Sequence, residues 1–162
     1  RAWLAKLEPA DAEPLLWRGA AWLRRGCVAA ERPELIAELF VGVALIERSV
    51  ELEPSLAWGL GYAMLGAYHA RSPDAELAQA RALFEKALQL SGRKALTTQL
   101  LYAQNWACQA RDEKAYRALL QEVLEAGDAL PAQRLENTIA ARKARRYLGA
   151  PRLARCGFGG AR

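Results

Sequence analysis

The sequence predicts an all-α fold of about seven helices, packed in antiparallel pairs. Three observations carry this. Hydrophobic residues make up 52% of the 162 positions, and Ala and Leu dominate them with few β-branched runs, a composition that favours helix over sheet. Apolar residues recur at helical spacing along nearly the whole chain, with start and stop signals between the segments. A small–large–small pattern at i, i+4, i+7 occurs twice, as Gly42-Ile46-Ser49 and as Ala80-Phe84-Ala87.

Residues 1 to 12 hold a short apolar patch, Trp3, Leu4 and Leu7, followed by Pro9, and predict a short helical turn. Asp11 caps a helix from about Glu13 to Ala29, with Gly19 as its small residue. Glu31-Arg32-Pro33-Glu34 opens a second helix that Pro54 stops. Its stripe is Leu35, Leu39, Gly42, Ile46, Ser49 and Val50. A third segment, from Ser55 to about Arg71, has Gly66 where two helices must approach closely. Ser72-Pro73-Asp74 starts the fourth, whose inner face is Ala80, Phe84 and Ala87.

Gly92 ends the fourth helix as a left-handed cap. A fifth runs from about Ala95 to Gln109, and a sixth follows Asp112 and stops at Gly127. The seventh starts near Pro131, with Leu135, Ile139 and Tyr147 or Leu148 facing inwards. Asn137 is a poor interior helix former, so its amide is expected to bond backbone groups near Gly127 and tie the last helix to the stack. The domain therefore spans 1–150, and residues 151–162 read as a frayed, basic, Gly-rich tail.

The pattern of small, aromatic and Ala positions resembles a tetratricopeptide repeat, which makes the expected architecture a TPR-like solenoid of stacked helix pairs. Such a scaffold binds things and rarely carries chemistry.

Charge is uneven. The net charge is +5, but after Leu130 eight Arg and Lys stand against one acid, Glu136, a local +7 that leaves −2 for the first 130 residues. Arg142-Lys143-Ala144-Arg145-Arg146 suits both phosphates and a helix C-terminus. No nucleic-acid motif surrounds it, so no nucleic acid is expected as partner.

Three cysteines, Cys27, Cys108 and Cys156, are widely spaced and His69 is the only histidine. No metal and no cofactor are expected, and the odd count argues against a disulfide framework. Cys108 reads as a small core residue. Gly59-Leu60-Gly61 fails as a nucleotide loop, because Met64 occupies the third glycine position and no strand precedes it. Glu47 with Glu51 and Glu34 with Glu38 read as solvated faces, and His69 as an inter-helix or helix-end residue. The sequence predicts no enzyme. Trp17, Trp22, Trp58, Tyr62, Tyr68, Tyr102 and Trp106 either line a ligand groove or belong to the core.

Five stretches point to one family: ALIERSVELEP (44–54), LGAYHA (65–70), ARALFEKALQLSGRKAL (80–96), LYAQNWACQARDEKAYRALLQEVLEA (101–126) and RLENTIAARKARRYL (134–148). Together they resemble the T-component (TatT-like) family of TRAP transporters, over what corresponds to the C-terminal half of a usual member. The most specific pieces run from Phe84 through Ala87 to Gly92 and from Asn137 through Arg142 and Lys143 to Ala144. The resemblance implies a TPR-like periplasmic lipoprotein that self-associates. It also implies a TRAP solute-binding protein as partner and a small apolar solute as ligand. The family's signal peptide and lipid-attachment cysteine are not found in these residues: Arg24-Arg25-Gly26-Cys27 has charges where a lipobox needs apolar and small residues. A generic TPR-like adaptor that binds a peptide is the competing reading.

Overall fold

The computed structural model describes residues 3–28, 32, 36–72 and 75–159, without the side chains of 26–28. The helix start expected at 31–34, the Pro73–Asp74 cap and the Cys27 side chain fall outside this set. Among the described residues there are eight α-helices and no strand. They are α1 (Ala12–Val28), α2 (Leu39–Leu52), α3 (Leu60–Arg71), α4 (Leu77–Ser91), α5 (Thr97–Leu101), α6 (Glu113–Glu125), α7 (Arg134–Tyr147) and α8 (Ala150–Arg155). The predicted all-α fold is what forms.

Glycine sets the approach of the first two pairs. A Cβ built on Gly19 of α1 would stand 2.8 Å from the Gly42 carbonyl oxygen and 2.6 Å from Ile46 Cγ1 of α2. A Cβ on Gly66 of α3 would stand 3.1 Å from the Ala80 carbonyl oxygen and 2.9 Å from Phe84 Cδ2 of α4. The two small–large–small triplets thus do the same job: the small residue admits the neighbouring glycine, and the large one packs beside it. Both pairs run antiparallel. Ala12 meets Ser49 while Trp22 meets Gly42, and Gly59 meets Ala87 and Leu90 while Gly66 meets Ala80.

The main core spans α3 to α8, and a smaller cluster of Leu16, Val43, Ile46 and Leu65 joins the first pair to the second. Helix α5 widens into a π-helix over Tyr102–Ala107. The extra residue per turn lets Tyr102, Ala103, Asn105, Trp106 and Ala107 all be buried, more than one α-helical stripe accommodates. Phe84 stacks on Tyr102 with ring centroids 4.7 Å apart, so α4 and the π-segment share one aromatic layer.

The C-terminal end departs from expectation in three ways. Residues 150–159 are not a frayed tail. They form α8 and a turn whose Leu153, Cys156 and Phe158 are buried, with Phe158 edge-on to Tyr116 at 5.2 Å. Cys156 is disulfide-bonded to Cys108, so Cys108 is a cross-link and not merely a small core residue. Helix α7 faces the other way from the predicted stripe: Leu135 and Ile139 are 68% and 43% exposed, while Asn137, Ala140 and Ala144 are buried. Two alanines allow α7 to lie close against its neighbours, and the amide of Asn137 finds backbone partners there. That combination decides the rotation over the burial of two aliphatic side chains.

Candidate ligand-binding site

The N-terminal residues build a cleft of about 440 Å³ against the first helix pair. Two 3₁₀ turns, Leu4–Lys6 and Pro9–Asp11, precede α1. The Asp11 carboxylate accepts the Glu8 backbone N–H at 2.9 Å and closes the second turn. Helix α2 then holds this segment down. The Arg48 guanidinium donates to the Leu7 carbonyl at 2.8 Å, and the Ser49 hydroxyl donates to the Ala12 carbonyl at 2.7 Å. The first bond reaches the Leu7 carbonyl between the two 3₁₀ turns, and the second reaches the first residue of α1.

Trp3, Leu7, Leu15, Trp22, Val41 and Leu45 give the cleft its apolar lining, and Leu15 and Leu45 are its most buried members. Asp11 and Arg18 supply the charged groups at its edge. The Arg25 guanidinium lies 5.1 Å from the Trp22 ring centroid, a cation–π contact that steadies the indole. Mostly apolar walls with a few polar groups are the usual composition of a small-molecule site, and the volume falls within the usual range of roughly 300–1,000 Å³.

The seven aromatics singled out from the sequence are not gathered in one groove; Trp22 alone of them lines this cleft. Trp17 is 49% exposed elsewhere on α1, its indole N–H donating to Glu13. Tyr102 and Trp106 belong to the core. The Trp106 indole donates to the Leu77 carbonyl at 2.7 Å, and the Tyr102 hydroxyl donates to Glu85 at 2.9 Å. Burial, then the Glu85 carboxylate, push the Tyr102 phenol well above its ordinary range. Tyr62 and Tyr68 are half-buried on α3. Trp58 sits in a left-handed turn with Ala57 and Gly59, at φ of 56°, 48° and 76°. Left-handed backbone disfavours side chains with a Cβ, so this corner before α3 is held against local preference.

The family-motif residues occupy structural positions. Phe84 and Ala87 are fully buried, and Gly92 caps α4 at φ 55°. Asn137 donates to the Lys94 carbonyl and accepts the Leu96 N–H, both at 3.0 Å. Its partners therefore follow Gly92, not Gly127 as expected. Arg142 is exposed and Lys143 half-buried on α7. Sequence reasoning missed Trp3, Leu7 and Arg18 as cleft residues. The apolar patch at Trp3, Leu4 and Leu7 was the available signal, but nothing local says that α2 holds it in place.

Glu51 and His69 take structural places, and Glu34 lies outside the described residues. Glu51 pairs with Arg48 at 3.0 Å. His69 lies at the end of α3, with Nδ1 3.2 Å from the Glu76 carboxylate and Nε2 3.4 Å from the Gln79 amide. Among the described residues, no three of His, Cys, Asp and Glu converge on a metal position. A second, shallower hollow on α6 is occupied by the Arg93–Glu122 pair. Gln99 donates to Glu122 at 2.9 Å and to the Arg93 carbonyl at 2.7 Å.

The described residues form a stack of helix pairs with an apolar cleft against the first pair. The model of one family, the TRAP transporter T-component, matches residues 1–151. The chain belongs to that family. No curated protein matches it. Membership places the chain among the accessory components of TRAP-type solute transport. Among the described residues, no helix is long and apolar enough to cross a membrane.

Proposed function

We propose that this protein is a non-catalytic accessory component of a TRAP-type transport system, which engages the solute-binding protein and takes a small apolar solute into the cleft between the N-terminal turns and the first helix pair. The observation that carries the ligand reading is the lining itself. Trp3, Leu7, Trp22 and Leu45 present an apolar surface, with Arg18 and Asp11 at the edge to orient a polar end. A peptide-binding TPR-like adaptor calls for an extended polar face, and this cleft offers instead a compact apolar one.

The periplasm is the compartment this reading requires, and the Cys108–Cys156 disulfide supports it, because disulfides persist where the medium is oxidising. Self-association belongs to the same reading. Trp17, Ile36 and Phe40 are 49%, 45% and 65% exposed on or beside the first helix pair, and a second copy would remove such surface from water.

Trp22 provides the test. Titrating the protein with a fluorescent apolar probe such as 1-anilinonaphthalene-8-sulfonate should give saturable binding, with energy transfer from tryptophan. Trp22→Ala and Leu45→Asp should each weaken that binding at least about tenfold, the scale of about 1.4 kcal/mol in lost contact. Unchanged binding in both variants, with the fold intact by circular dichroism, removes the cleft from consideration.

A further inference from the structure

The rotation of α7 leaves an outward face that neither the fold nor the cleft uses. At about 100° per residue, Leu135, Ile139, Arg142 and Arg146 fall on one narrow stripe. The stripe is directly opposite the buried Asn137 and Ala144. Arg145 lies along one side of it and Lys143 along the other. Leu135 and Ile139 are the two most exposed large aliphatics of the C-terminal half. Among the described residues, Arg142, Lys143, Arg145 and Arg146 enter no ion pair, and the nearby Arg134 is already held by Asp128.

From this we infer that the outer face of α7 docks the protein on an anionic phospholipid surface. A helix lying in a membrane interface needs aliphatic side chains to enter the headgroup–acyl boundary and cations to meet the phosphates. The stripe carries both in one line. The long stems of Arg142 and Arg146 let their guanidinium groups sit at the phosphate level while Leu135 and Ile139 reach deeper. The rest of the molecule assists, since the local charge after Leu130 is +7 and that of the first 130 residues is −2. A charge distribution of that kind turns the C-terminal end toward an anionic surface before contact.

An acidic protein partner is the rival occupant, and the geometry favours it less. Protein interfaces concentrate their energy in aromatic or Arg anchors seated in pockets. This stripe has no aromatic, and neither of the two clefts described above includes a residue of α7. The inference is independent of the ligand cleft.

Co-sedimentation with large vesicles tests it. The wild-type chain should bind vesicles of phosphatidylglycerol mixed into phosphatidylcholine at low salt, and should bind phosphatidylcholine alone at least about tenfold more weakly. Binding should fall as salt shortens the screening length. The pair Arg142→Glu with Arg146→Glu should reduce binding to the mixed vesicles at least about tenfold, as expected for cations near the surface. Leu135→Ser with Ile139→Ser should weaken binding and lessen what persists at high salt. Lys86→Glu with Lys114→Glu makes the same change in net charge on other helices and should leave most of the binding in place. Absence of binding to the mixed vesicles at low salt overturns the inference. So does an equal loss in the Lys86/Lys114 pair, which would mean that only net charge matters. If the wild type ignores vesicles while the α7 variants lose capture of the solute-binding protein, the face is a protein interface and the membrane reading is wrong.

Discussion

The Asn137 side chain accepts the Leu96 backbone N–H at 3.0 Å, joining α7 to the turn that opens α5 across 41 positions of sequence. The same amide donates to the Lys94 carbonyl. One buried side chain therefore satisfies two backbone groups that lie between helices, where no helical partner exists. Asn137→Ala removes both bonds and leaves the buried Leu96 N–H and the part-buried Lys94 carbonyl without this partner. A loss of about 1–3 kcal/mol is expected, the cost of unpaired buried polar groups. Urea denaturation at neutral pH measures it, and a loss within error of zero would mean that water replaces the amide without penalty.

Phe84 is fully buried, against Gly66 on one side and the Tyr102 ring on the other. Truncation to Ala opens a cavity that three elements would have to collapse to fill. Phe84→Ala should cost roughly 3–5 kcal/mol. A drop below 1 kcal/mol in a urea melt would show that the helices close over the gap.

Gly19→Ala sets two effects against each other. Alanine is the better helix former by about 1 kcal/mol. Against that, the new methyl would meet the Gly42 carbonyl oxygen at 2.8 Å, a backbone atom that cannot move without shifting α2. Overpacking of this kind costs about 1–3 kcal/mol, so the net expectation is destabilisation. Thermal melts of Gly19→Ala and of an exposed-site control, Gln121→Ala, separate the two effects. A higher melting temperature for Gly19→Ala would show that the helix pair can part without loss.

Much of the scaffold was legible in the sequence, and the residues that misled share a cause. Gly19, Gly42, Gly66 and Phe84 announced themselves because close helix approach demands particular sizes at particular spacings. Asn137 announced itself as a residue needing partners, but identifying them requires knowing that the turn after Gly92 lies beside α7. Hydrophobicity alone points Leu135 and Ile139 inwards. On a helix with few large apolar residues, an amide with backbone partners and two small alanines outweigh them. The cleft was illegible for another reason: Arg48 and Ser49 hold residues 7 and 12 in place from 41 and 37 positions away.

The Cys108–Cys156 bond closes a loop with a sequence separation of 48 and fastens α8 to the end of the π-segment. In the chain-entropy description a loop of this size contributes about 4 kcal/mol by restricting the unfolded chain. Cys156→Ser, or reduction by dithiothreitol, should therefore lower stability by a few kcal/mol. It should also expose the 150–159 segment to trypsin at Arg152 and Arg155 before the rest of the chain is cut. Identical cleavage with and without reductant would mean that Leu153 and Phe158 hold the segment unaided.

Glu122 gives the fold a defined response to acid. Burial alone would raise its pKa, but hydrogen bonds from Arg93 and Gln99, together with the Arg93 charge, prevail and hold the carboxyl below its ordinary value. The Arg93 guanidinium is correspondingly raised, first by its hydrogen bond to Glu122. A carboxylate with a depressed pKa in the folded state binds its proton more weakly there than in the unfolded chain. Its contribution to stability is therefore present above the unfolded value, about 4.3 for Glu, and is lost as the pH falls through the folded value. Asp128, held down by Arg134, acts in the same direction, so the comparison needs a variant that removes only one of them. Glu122→Gln keeps the shape and cannot ionise. Its stability deficit relative to wild type should be full at neutral pH and shrink as the pH falls below the unfolded value of about 4.3. Urea midpoints measured at steps across that range test the point. A deficit that stays constant with pH would show that Glu122 acts through packing and neutral hydrogen bonds, and that its charge adds nothing to the fold.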